Sequence, residues 1–119
     1  MPNIVTAADA ETAADYYSEF EVWHSNVATG THQEVNWVKF KAGSTYPLHS
    51  HPYEQTSIMI SGRMRLTVGD EVREVGAGDM WFAPSDVPHG GEILPDEPVV
   101  FIEIYSPPSG GVSNGVTYY

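Results

Sequence analysis

Gly43–Gly62 reads GSTYPLHSHPYEQTSIMISG, and this stretch decides the fold. It carries two histidines as His49-x-His51, then Gln55, with a glycine at each end. Two histidines at i and i+2 on a strand point to the same side, with Cβ atoms about 6–7 Å apart. Both imidazoles then converge on one ion at a bond length of about 2 Å. On a straight chain Gln55 would lie about 13 Å beyond His51. The chain is therefore expected to turn at Pro52-Tyr53 and to bring Gln55 back on the neighbouring antiparallel strand, a break that proline favours. A third histidine, His89, stands in a second glycine- and proline-marked stretch, Gly78–Gly91 (GDMWFAPSDVPHGG). These four side chains are read together as the holders of one divalent metal inside a small β-barrel.

Composition narrows the chemistry. The chain of 119 residues is expected to form one domain with a single core. It has no cysteine, which removes disulfides, thiolate nucleophiles and cysteine-bound metal, so a metal must use nitrogen and oxygen donors. A formal charge of -11, with Lys and Arg totalling only 5, argues against nucleic acid and anionic membrane surfaces as partners. No apolar run is long enough to span a bilayer. The first ten residues, MPNIVTAADA, lack a basic region followed by an apolar one, so no signal peptide is expected and the location is read as cytoplasmic.

Working outward from the central stretch, turns punctuate the chain at short intervals. Thr6–Tyr17 is alanine-rich and acidic, a short helix capped by Thr6 or Asp9, or a mobile leader. Ser18–His24 alternates apolar and polar residues as a first strand, and Asn26–Thr31 reads as a turn at Gly30. In the extended segment His32–Lys41, alternation places His32, Glu34, Asn36, Val38 and Phe40 on one face and Val35, Trp37, Lys39 and Lys41 on the other. Arg63–Val68 and Glu71–Val75 form a hairpin whose Gly69-Asp70 suits a type II′ turn. Met80–Ala83 is a short strand, 84–95 a turn-rich loop carrying His89, and Pro98–Tyr105 (PVVFIEIY) an apolar last strand. Many short strands at regular spacing give an all-β sandwich or barrel over about residues 20–106. The tail 107–119 is expected to be flexible, or to dock Val116–Tyr119 on a partner subunit. By alternation with Gln55, Ser57 and Met59 should face the cavity. Asn36, His32, Met64 and Phe82, with Trp81 and Phe101, complete the candidate wall.

The intervals resemble those of the cupin superfamily over about Val35–Ser106. Its first motif runs glycine, five residues, His-x-His, three or four residues, glutamate, six residues, glycine. Gly43, His49, His51, position 55 and Gly62 keep every interval. Its second motif is matched by Gly78, Pro84 and His89, with Asp86 in place of the inner glycine and Ile93 in place of the closing asparagine. Gln55 occupies the glutamate position, whereas Glu54 is one residue too close to His51.

The resemblance implies a jelly-roll fold, a homodimer, and metal ligation by His49, His51, Gln55 and His89. Three imidazoles and an amide suit Zn, Fe, Ni, Co or Mn. A neutral amide in place of a carboxylate leaves the site one charge unit more positive, which favours Lewis-acid over redox chemistry. Within the superfamily, HSHPYEQ and GDMWFAPSDVPHG are similar to small cupins that linearise 4,5-unsaturated uronates. Those carry an Asp-x-Phe pair and then an arginine, where this chain has Glu103, Tyr105 and Ser109. The three-histidine-plus-glutamine set is also similar to zinc cupins that cyclise aromatic polyketides and add a further histidine, for which His32 is the candidate. The function implied is a metal-dependent isomerase, cyclase or lyase on a small carbonyl- or enol-containing substrate. In it Glu103 moves the proton, and Tyr105 stacks on or hydrogen-bonds to the substrate. A metal-dependent dioxygenase and a non-catalytic ligand-binding cupin are the alternatives.

Overall fold

The computed structural model of the protein describes residues 2–119. In chain order its elements are helix α1 (Ala7–Ala13) and strands β1 (Asp15–Tyr17), β2 (Val22–Thr29), β3 (Glu34–Phe40), β4 (Thr45–Ser50) and β5 (Glu54–Ser61). They continue with β6 (Met64–Val68), β7 (Glu71–Val75), β8 (Met80–Ala83), β9 (His89–Ile93), β10 (Val99–Ser106) and β11 (Thr117–Tyr118). The strands form a jelly-roll of two sheets, ordered β1-β2-β3-β10-β5-β8 and β11-β4-β9-β6-β7. Inward side chains of both sheets meet in one core that includes Val38, Phe40, Met59, Met64, Trp81 and Phe101.

Local chemistry accounts for most boundaries. Thr6 caps α1 through a reciprocal box: its hydroxyl accepts from the Asp9 amide, and the Asp9 carboxylate accepts from the Thr6 amide. The β6–β7 hairpin closes through two residues, with a positive φ of 58° at Gly69 and none at Asp70, as a type II′ turn requires. In β3 the alternation holds, with Glu34, Asn36, Val38 and Phe40 facing inward and buried.

Two expectations are corrected. The first strand does not begin at Ser18. Residues 18–21 turn, and β2 runs on to Thr29 through the span read as a turn, with a register shift between Asn26 and Ala28 against β3. The loop 84–95 contains a strand, β9, because its two glycines serve close packing rather than a turn. A Cβ on Gly90 would come within 2.7 Å of the Tyr46 carbonyl oxygen, and one on Gly91 within 2.9 Å of the Arg65 carbonyl oxygen. Side chains there would push β4 and β6 away from β9. The tail, expected to be flexible or to dock on a partner, ends in a short strand in which Thr117 and Tyr118 pair with Ser50 and His49 of the same chain. Trp37, on the face of β3 shared with Val35 and Lys39, is only 6% exposed within the single chain.

The placement of β5 matters most for function. The chain does turn at Pro52-Tyr53, but it does not return beside β4. It crosses to the facing sheet, where β5 lies between β10 and β8. Anything built jointly from β4 and β5 therefore spans the interior of the sandwich.

Candidate metal centre

His49 at the end of β4, His51 just after it and His89 at the start of β9 bring three ring nitrogens within 4.8 Å of one another. All three residues are buried. Each ring is oriented in the same way, its Nδ1–H donating to a backbone carbonyl two residues away. The acceptors are Pro47 O at 2.7 Å, Tyr53 O at 2.7 Å and Val87 O at 3.0 Å. A carbonyl only accepts, so Nδ1 carries the proton and Nε2 is left with a lone pair. Gln55 reaches in from the opposite sheet. Its amide nitrogen donates to Ser57 Oγ at 2.9 Å and Tyr46 OH at 3.3 Å, which turns Oε1 towards the imidazoles. Oε1 lies 3.1 Å from His51 Nε2 and 3.0 Å from His89 Nε2.

Four acceptors thus face one another without a hydrogen among them, and such a group repels itself unless a cation lies between. The spacing also suits an ion: two donors at right angles on bonds of about 2.1 Å stand about 3.0 Å apart. The donor set therefore fits a divalent metal. Burial lowers the pKa of His49, and it lowers that of His89 to about 4 with the help of the neighbouring imidazoles. Both rings are thereby kept neutral and ready to ligate.

A second buried polar cluster borders the first. Glu103 on β10 is 5% exposed, and burial alone would raise its pKa. His24, Tyr105 and Asn36 outweigh burial, so the carboxyl is held below its usual range and stays ionised. The Asn36 amide donates to Glu103 Oε2 at 3.1 Å and to Glu34 Oε2 at 2.8 Å. His24 Nε2 lies 3.8 Å from Glu103. Glu34 in turn accepts from the Ser109 amide at 3.0 Å and the Ser109 hydroxyl at 2.8 Å. The serine that stands near the arginine position of the uronate cupins thus anchors the tail.

Both clusters open on one cavity of about 510 Å³, a volume suited to a small molecule. His49, Glu103 and Tyr105 line it, with aromatic side chains from both sheets, among them Phe40, Tyr46 and Phe101. Burial, reinforced by the charge of Glu103, pushes the Tyr46 and Tyr105 hydroxyls far above the usual phenol range, so both remain protonated donors.

Of the candidate wall read from the sequence, Phe101 lines this cavity and the other residues lie elsewhere. Ser57 lies behind Gln55 and holds its amide, and Asn36 lies behind Glu103. Met59 and Met64 fill the core beneath. Phe82 is on the outer face of its sheet, paired with Thr56 and 50% exposed, because the inward positions of β8 are Trp81 and Ala83. His32 is exposed and precedes β3, so the alternation that placed it beside Asn36 does not extend to it. Sequence reasoning missed His24, Tyr46 and Tyr53, whose ring stacks on His51 at 4.1 Å. His24 shares parity with Phe20 and Val22, and all three line the cavity, so the alternation itself was the available signal.

A family model described as the cupin domain matches residues 36–105, and the chain belongs to that family. Oxalate decarboxylase OxdC of Bacillus subtilis (strain 168) is 31% identical over 86 residues, 68% of this chain and 22% of that protein. The chain thus spans less than a quarter of that relative's length. Among solved structures, RemF, a polyketide cyclase of Streptomyces resistomycificus, superposes with a TM-score of 0.76 at 23% identity, covering 89% of this chain and 80% of that one. KdgF from Halomonas sp. gives 0.75 at 22% identity, covering 82% and 87%. At these identities the structural likenesses speak for the fold.

Proposed function

We propose that this cupin is a metal-dependent enzyme of the isomerase, cyclase or lyase type, acting on a small molecule that carries a carbonyl or enol. His49, His51, Gln55 and His89 would hold the ion. One observation carries the reading: a buried group of four hydrogen-free donors reaches, through His49, the same cavity that the ionised carboxylate of Glu103 lines.

When bound, a divalent ion there supplies Lewis acidity to a substrate oxygen and so acidifies the adjacent C–H or O–H. Glu103, held ionised by its three neighbours, takes that proton and returns it elsewhere on the substrate. A carboxylate with a depressed pKa is a weak base, so it serves only where the proton has been made acidic, which ties its role to the donor cluster. Asn36 and His24 fix its orientation, while Tyr105 and Tyr46 present neutral hydroxyls to developing negative charge. Gln55, neutral where the superfamily motif has glutamate, leaves the positive charge of the site undiminished.

The test uses small 2-oxo acids and β-diketones in D2O with zinc-loaded protein, following loss of the α-proton signal by NMR. Exchange should be catalysed without oxygen consumption. Glu103→Gln should slow it by about 10²–10⁴-fold with metal content unchanged. Full exchange in that variant removes Glu103 from the mechanism, and substrate-dependent oxygen uptake turns the reading towards a dioxygenase.

A further inference from the structure

The cavity has a wall that the cupin match does not contain. Residues 36–105 supply the donors, Glu103 and the aromatic floor. The opposite side is built from the two ends of the chain, with Tyr17, Phe20 and Val22 before the match and Val112, Val116 and Tyr118 after it. The ends are locked together there. Phe20 and Tyr118 stack with ring centroids 5.4 Å apart and planes 26° apart, and Tyr118 is placed by the pairing of β11 with β4. Tyr118 also lies 6.1 Å from the ring of His49, so the wall reaches the donors.

The chemistry of the lining is one-sided. Among the described residues no lysine or arginine lines this cavity, while two carboxylates do, Glu103 inside and Glu19 on the β1–β2 turn. Away from His49 and Glu103 the surface is mainly ring faces and aliphatic groups. A ligand there finds flat apolar surface on both sides and no cation for a remote anionic group.

We propose that this terminal wall, clamped by Phe20 and Tyr118, selects substrates with a flat, uncharged, apolar body whose oxygen donors sit at one end, and rejects bodies with a second anionic group. The inference rests on the reading of the donor cluster as a metal site, since the ion fixes which end of the ligand points inward. Phe20 and Tyr118 are specificity-determining residues, and a uronate-like body is excluded.

Three commercial probes with one chelating head test this by calorimetry on zinc-loaded protein: salicylate, 1-hydroxy-2-naphthoate and 5-sulfosalicylate. The extra ring should strengthen binding roughly tenfold over salicylate, the gain expected from its apolar area. The remote sulfonate should weaken binding roughly tenfold, because it meets Glu103 and Glu19 with no lysine or arginine in the lining to offset them. Phe20→Ala should erase the advantage of the naphthoate over salicylate. Tyr118→Ala, at a half-exposed position where folding tolerates the change, should do the same. Equal or reversed ranking of the three probes, or a ring preference that survives in both variants, overturns the wall. Salicylate binding that is the same with and without zinc instead counts against the metal reading. In that case a ring preference that still depends on Phe20 and Tyr118 upholds the wall alone.

Discussion

The two buried polar clusters are neighbours built on opposite plans. In the histidine cluster each ring is oriented by a carbonyl two residues away in the chain. In the carboxylate cluster the partners lie far apart in sequence, with Asn36 and Glu103 separated by 67 positions and Glu34 and Ser109 by 75. The first is preset locally by strand geometry. The second exists only once β2, β3, β10 and the tail have come together. A local device fixes the direction of lone pairs, whereas a distant one couples the charge of Glu103 to the integrity of the whole fold.

The difference is sharpest when one member of each cluster is removed. His89→Ala should reduce metal content below one equivalent and bring turnover to background, with an affinity loss of at least the 10–100-fold that losing an outer partner of a ligand costs. Glu103→Gln should keep the metal and lose only turnover. Metal analysis of the two purified variants separates them, and metal loss in Glu103→Gln would show that the clusters are one unit.

Asn36→Leu attacks the distant plan. It leaves Glu34 and Glu103 buried without the amide they share, at an expected cost of about 3 kcal/mol in urea melts. Loss of that donor also lets the Glu103 pKa rise, so the acid limb of the rate profile should move to higher pH. An unchanged limb would separate Asn36 from the state of Glu103.

Acid probes the local plan in metal-free protein. The folded pKa of His89 is about 4 against 6.5 unfolded, so the unfolded chain binds more protons between those values. Stability from this residue is therefore fully present above about pH 6.5 and is lost as the pH falls towards 4. The loss is on the order of 3 kcal/mol from the size of the shift. Glu103, depressed below its ordinary range, contributes in the same direction but at lower pH. Thermal melts of chelator-treated protein should fall across pH 6.5–4, and a flat profile there would mean that His89 is not held neutral.

The same contrast explains what could be read in advance. His49, His51, Gln55 and His89 were legible because ligand spacing is a property of short stretches, and glycine and proline mark where those stretches turn. The facing-sheet position of Gln55 was not, because nothing in Pro52-Tyr53 distinguishes a return beside β4 from a crossing to the other sheet. Glu103 was found from its place on an apolar last strand. Its partners His24 and Asn36 lie on β2 and β3, so their meeting depends on the pairing of those strands, whose register shifts between Asn26 and Ala28. The tail is a related case: its Pro, Gly and Ser content carries no local signal for the pairing with β4 or for the hydrogen bonds between Ser109 and Glu34, both of which depend on distant residues.

Ser109→Ala is the mildest intervention and tests how far the distant cluster reaches. The substitution removes the hydroxyl donor at 2.8 Å but keeps the backbone donor at 3.0 Å, so Glu34 is weakened rather than stranded. A hydrogen bond to a charged group contributes about 1.5–3 kcal/mol. With its neighbour intact, about 1 kcal/mol is expected from the melting curve. The Ser109 hydroxyl also accepts from the Gly111 amide at 3.2 Å, so its removal loosens the chain that leads to β11. Looser packing of Tyr118 against Phe20 should follow, visible as faster amide exchange at Tyr119, whose N–H donates to Leu48 O. If exchange there is unchanged while stability drops, Ser109 supports Glu34 alone and the tail is held by its own strand pairing.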